Sequence, residues 1–145
     1  MRVGIANCQT GGTFSPLAMN KHLKQLFAWG PALSWAGLIF FLSTRPASGL
    51  PAPWFLAHDK LVHAGVYGVL SLTVYFALRK GHHRTPRTAA LMGTLFASLY
   101  GLSDEVHQMF TPSRVADLWD WVADTAGAAC VFLLTLLPSR HEPSR

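Results

Sequence analysis

Four apolar runs, each close to twenty residues long, constrain this chain more than any other feature. They are Gln25 to Ser43, Leu61 to Leu78, Thr88 to about Phe110, and Leu118 to Leu137. About 20 residues of α-helix cross the ~30 Å hydrocarbon core of a bilayer. None of the runs alternates with period two, which argues against barrel strands. They are apolar all round rather than along one stripe, unlike helices on the surface of a soluble core. Composition agrees: 50% of the 145 residues are hydrophobic and 13% are charged. A soluble domain carries roughly 25% charged residues. The expected fold is an all-α membrane protein, a four-helix transmembrane bundle.

The breaks between runs are sharp. Arg45 to His58 holds Pro46, Pro51 and Pro53, and Arg79 to Arg87 is a compact basic turn. Thr111 to Ala116 contains Pro112, and Pro138 ends the last run. Residues 1-24 read as an amino-terminal extension, without the unbroken apolar core of a signal peptide. Met19, followed by Lys21, His22 and Lys24, is a candidate true start. Residues 25-138 form the transmembrane domain and residues 139-145 a short tail.

Lys and Arg set the orientation. Arg2, Lys21, Lys24, Arg79, Lys80, Arg84, Arg87, Arg140 and Arg145 fall on one side; Arg45, Lys60 and Arg114 fall on the other. The positive-inside rule then places both termini and the middle loop of a multi-pass protein in the cytoplasm. The net charge of +5 is spent on these clusters, not on a basic face with base-stacking residues, so no nucleic-acid partner is expected. Cys8 and Cys130 offer neither a disulfide framework nor a metal spacing.

The carboxylates divide the opposite way. Asp59, Asp104, Glu105, Asp117, Asp120 and Asp124 lie toward the outer side, and Glu142 alone does not. Asp59, His63 and Tyr67 are spaced by four, one stripe at the start of the second helix. Glu105 and Gln108 share a face of the third helix, with Asp104 and His107 on a neighbouring one. Asp117, Asp120 and Asp124 form a stripe at the start of the fourth, where Asp117 also suits a helix cap. A charge deep in a bilayer costs at least ~2.5–3.5 kcal/mol on insertion scales. Three helices bearing that cost near one face imply a shared pocket, with Lys60 and Arg114 as counter-charges. A metal site from His63, His107 and the carboxylates is chemically possible, but no HExxH or similar tight spacing supports it, so no metal and no cofactor are assigned. Trp29, Trp54 and Trp119 fall near span ends, as interface anchors do. His58, His82, His83 and His141 read as solvated. Gly93, Gly101 and Gly127 suit close helix packing.

FFLSTRP, DKLVHAGVY, DEVHQMFTPSR and DLWDWVADTAG, between about Phe40 and Gly127, carry a resemblance to the VanZ-like family, named for a protein associated with teicoplanin resistance. Ser43 and Pro46 fit its first element; Asp59, Lys60, His63 and Tyr67 the second; Glu105, Gln108, Pro112 and Arg114 the third; Asp120 and Gly127 the last. Ala64 stands where Phe is usual in that pattern, and Asp124 where Asn is usual. The resemblance implies a small multi-helix membrane protein of the cell envelope, multi-pass in a bacterial inner or plasma membrane.

The leading function is a binding or resistance factor at the outer face. The resemblance implies membrane lipids as partners, with a cell-wall precursor lipid or a glycopeptide as ligand. Lys60, Arg114, Gln108, Asp59, Tyr67, Ser43 and Asp124 would line that site, with Arg114 forking onto phosphate or carboxylate. The alternatives are an intramembrane acid/base enzyme, with Glu105, His63 and Asp120 catalytic, a proton-coupled transporter, and a purely structural polar network. Nothing in the sequence sets an oligomeric state.

Overall fold

A computed structural model describes residues 20–45, 59–111, 114 and 116–137. Met19, Pro46, Trp54, His58, Pro112 and the 139-145 tail lie outside the described residues. Four helices are present among the described ones: α1 (Lys21–Ser43), α2 (Asp59–His82), α3 (Pro86–Gln108) and α4 (Leu118–Leu134). Each has a physical start. The Asn20 side chain accepts from the His22 N–H at 3.2 Å. Thr85 accepts from the Thr88 N–H at 3.3 Å, and Pro86 takes the first helical position, where its missing donor is harmless. Asp117 caps α4 by accepting from the Trp119 N–H at 2.9 Å. Asp59 opens α2, and Arg79, Lys80 and His82 close it, which suits the helix dipole at both ends. His83 then turns the chain with φ of 53°.

The helices run a full turn past the apolar runs at two ends, because flanking polar residues continue them into water. α1 begins at Lys21, and α2 extends to His82. The exception is α4, which has 17 residues and ends at Leu134, three short of its run. At 1.5 Å per residue it is roughly 26 Å long. α1 and α2 are long and apolar enough to cross a membrane. α3 and α4 do not reach that standard; α3 is diluted by small and acidic residues and α4 is short.

Successive helices are antiparallel, and α2 is the hub, packing on α1, α3 and α4, while α1 touches α3 only slightly. Small residues let the axes approach. Gly127 lies against the Ala64 backbone, Gly93 against the Ser71 carbonyl, and Gly101 against Asp124 and Tyr67. The close-packing role expected of these three glycines is what the geometry gives. Side-chain donors also tie helix to helix. Trp35 donates to the Val66 carbonyl (2.9 Å), Tyr100 to Ala36 (2.8 Å) and Trp121 to Ser98 (3.0 Å).

On α3 the burial pattern is inverted relative to a soluble bundle, while α2 buries the large residues Tyr67, Leu70, Val74 and Leu78. On α3 the buried positions are Ala89, Ala90, Gly93, Ala97, Gly101, Asp104, Glu105 and Gln108. Leu91, Leu95, Phe96, Leu99 and Leu102 of the same helix are exposed. Small and polar groups lie inside and large apolar ones outside. That is the order expected where the surroundings are hydrocarbon and packing relies on close approach.

Candidate functional site

Antiparallel packing brings the C-terminal ends of α1 and α3 beside the N-terminal ends of α2 and α4. Every candidate site residue read from the sequence falls in this one end of the bundle, in two adjoining groups that meet at His63.

The first group surrounds a cavity of about 300 Å³ between α1, α2 and α3. Its apolar wall is Ile39, Leu42, Val62 and Val66. Its polar lining is Ser43, Asp59, His63, Tyr67, Asp104, Gln108 and Arg114. Asp104 accepts from Ser43 Oγ (2.7 Å) and from Gln108 Nε2 (3.0 Å) on the same oxygen. This ties the end of α1 to α3. The Tyr67 hydroxyl is buried with no hydrogen-bond partner, and the residue as a whole is only 2% exposed. A buried hydroxyl left unpaired costs about 1–3 kcal/mol. Arg114 Nε donates to the Arg45 carbonyl at 3.3 Å.

The second group lies between α2, α3 and α4. Lys60 Nζ reaches Asp117 Oδ2 at 2.7 Å and also Asp120 Oδ1, clamping α2 to the start of α4. The Lys60 ammonium, helped by the Trp119 N–H, holds the Asp117 carboxyl below the usual carboxylate range. His63 Nδ1 is 2.9 Å from Asp124 Oδ1. Its Nε2 faces Asp59 at 3.7 Å and Asp120 at 3.8 Å. Glu105 Oε2 accepts the backbone N–H of Asp117 at 2.8 Å, while its Oε1 is buried without a partner.

Lys60, read both as a counter-charge and as a ligand contact, is engaged by Asp117 and Asp120. One placement differs from the sequence reading. Asp104, left outside the expected site on a neighbouring face, is buried and bonded within it. Its spacing of four from Gln108 was the available signal, since side chains four apart on a helix meet. Of the histidines read as solvated, His82 is exposed but accepts from Trp29 Nε1 at 3.0 Å.

A four-helix chain with lipid-compatible outer faces and a buried polar end is consistent with a membrane protein. It belongs to the VanZ/LLP1 family, whose pattern matches residues 27–138, a wider span than the motifs between Phe40 and Gly127. It is also similar to the uncharacterized protein C11E3.10 of Schizosaccharomyces pombe, at 32% identity over 97 residues. That match covers 67% of this chain and 55% of the yeast protein, so the chain spans little more than half the length of this relative. No solved structure matches it.

Proposed function

We propose that all four helices cross the membrane, with both termini and the 83–85 turn in the cytoplasm. The polar end of the bundle then faces outward and binds the headgroup of an anionic amphiphile. The carrying observation is the cavity itself: apolar on one wall, polar on the other, and lined by the unpaired Tyr67 hydroxyl. At about 300 Å³ it is at the small end of ligand sites, suited to a headgroup rather than a whole lipid. Arg114 is the cation on that wall, and guanidinium suits a phosphate or carboxylate fork.

Family membership favours a membrane protein linked to resistance, with a lipid-linked cell-wall precursor or a glycopeptide as the ligand class. A relative in a yeast favours a ligand that membranes share more widely, a phospholipid-type headgroup. A second reading is an intramembrane acid/base enzyme. It is supported by the His63–Asp124 contact, in which a carboxylate orients an imidazole that lines the cavity.

The test is native mass spectrometry in mild detergent with phosphatidylglycerol added, comparing wild type with Arg114→Ala. Binding predicts one retained phospholipid per chain, weakened tenfold or more in the variant, about 1.4 kcal/mol. A wild type that retains none, or a variant that binds as well, would sink the headgroup reading. Chemical conversion of the added lipid, lost in His63→Gln while the lipid still binds, would favour the enzyme.

A further inference from the structure

The cavity uses one side of His63, and the groups behind it have no role in headgroup binding. His63, Glu105 and Asp124 each offer one ligand atom, a ring nitrogen and two carboxylate oxygens, all within 4.8 Å of one another. They come from α2, α3 and α4, so no local sequence spacing announces them. His63 Nδ1 and Asp124 Oδ1 are 2.9 Å apart. Adjacent ligands of an octahedral ion with ~2.1 Å bonds stand about 3.0 Å apart.

Two independent observations say that something is owed to these atoms. Glu105 Oε1 and Asp124 Oδ2 are buried with no hydrogen-bond partner. Their residues are 5% and 0% exposed, so solvent does not reach them freely. The charge balance points the same way. This end of the bundle holds six carboxylates (Asp59, Asp104, Glu105, Asp117, Asp120, Asp124) against Arg45, Lys60 and Arg114. Six against three leaves three negative charges in excess with His63 neutral, and Lys60 already bridges two of the carboxylates. An uncompensated buried carboxylate is among the most costly groups a fold can hold.

We propose that His63, Glu105 and Asp124 bind one divalent cation. The donor set, one imidazole and two carboxylates without a thiolate, suits Mn²⁺ or Zn²⁺. Asp117 already holds Glu105 in place through its backbone N–H at 2.8 Å, the kind of outer-shell bond that orients a metal ligand. Three protein ligands leave coordination positions open. The neighbouring set Asp59, His63 and Asp120 shares the imidazole but is more open, with the Asp59 side chain 45% exposed. The proposal goes beyond headgroup binding and does not rest on it. Where both hold, the cation would offset the carboxylate excess next to the cavity that receives the anion.

The experiment is an Mn²⁺ titration of EDTA-stripped protein in detergent without added lipid. It is followed by the loss of the free-ion electron paramagnetic resonance signal, with Zn²⁺ as competitor. Wild type is expected to bind one Mn²⁺ per chain, displaced by Zn²⁺. Glu105→Gln and Asp124→Asn should each weaken binding tenfold or more, within the range that loss of a metal-site contact produces. Both changes keep side-chain size, and either one suffices if the other fails to fold. Absence of Mn²⁺ and Zn²⁺ binding at millimolar concentration would overturn the proposal. So would binding of equal strength in both variants, which would mean adventitious capture by exposed carboxylates. Because lipid is absent, neither outcome depends on the headgroup reading.

Discussion

Replacing Gly127 with alanine is expected to remove most of the folded protein. α4 crosses α2 where Gly127 meets the backbone of Ala64. A Cβ on Gly127 would stand 1.9 Å from the Ala64 carbonyl oxygen, 2.5 Å from its carbon and 2.6 Å from its Cα. All three are backbone atoms, so no rotamer change relieves the clash and the helices must separate. Separation would also loosen Gly68, whose own added Cβ would sit 3.2 Å from the Gly127 carbonyl. Overpacking within a core commonly costs about 1–3 kcal/mol. A backbone clash at a helix crossing belongs at the top of that range or above it. Thermal unfolding in detergent is the measurement. Gly65→Ala is the control on α2, because nothing lies within 4 Å of its added Cβ. It should match wild type or gain slightly from helix propensity. A Gly127→Ala protein that melts with wild type would contradict the close crossing.

Asp104→Ala carries the second large effect. Asp104 accepts from both Ser43 and Gln108, and α1 has few other contacts with α3. Hydrogen bonds to a charged acceptor contribute about 1.5–3 kcal/mol in water-soluble folds. Interhelical bonds within membranes average nearer 0.6 kcal/mol. One interhelical bond from Ser43 and one within α3 from Gln108, plus two buried donors left unpaired, give about 2 kcal/mol for the alanine change. Asp104→Asn keeps an acceptor oxygen and should lose less than half of that. The readout is again thermal unfolding, together with the rate at which protease removes α1. Equal stability of the alanine variant and wild type would show that the Ser43–Asp104–Gln108 chain is incidental.

These two residues also show what was legible beforehand. Gly127 lay in an apolar run beside a recognisable motif, and close packing is the ordinary use of glycine there. The stripe of Asp59, His63 and Tyr67 was equally plain, because a spacing of four fixes one helix face whatever the partner. Helix existence followed from run length. Helix ends did not, because polar flanks such as Lys21 and His82 extend a helix beyond its apolar stretch, whereas α4 stops before its run does. Asp104 was missed because adjacent helical positions differ by 100°, and only helix rotation decides which of Asp104 and Glu105 meets α1. In the structure both are buried, one toward α1 and the other toward α4. Lys60 was read as a counter-charge and a ligand contact because its charge was visible, while which carboxylates it engages depends on how α2 and α4 dock. That His63, Glu105 and Asp124 share one end of the bundle was legible from the polar positions of three helices, but which atoms meet there depends on helix rotation and docking.

The central proposal is four membrane spans with the carboxylate-rich end outside. Cysteine labelling in intact cells tests it most directly. Cys8 and Cys130 are first replaced, and single cysteines are placed at Phe110, 81% exposed after α3, and at His83, exposed between α2 and α3. A membrane-impermeant thiol reagent should label the Phe110→Cys protein on intact cells, and the His83→Cys protein only after permeabilisation. The reverse pattern would put the polar cavity in the cytoplasm. Equal labelling of both positions, or recovery of the protein in the soluble fraction, would contradict the four-span bundle itself.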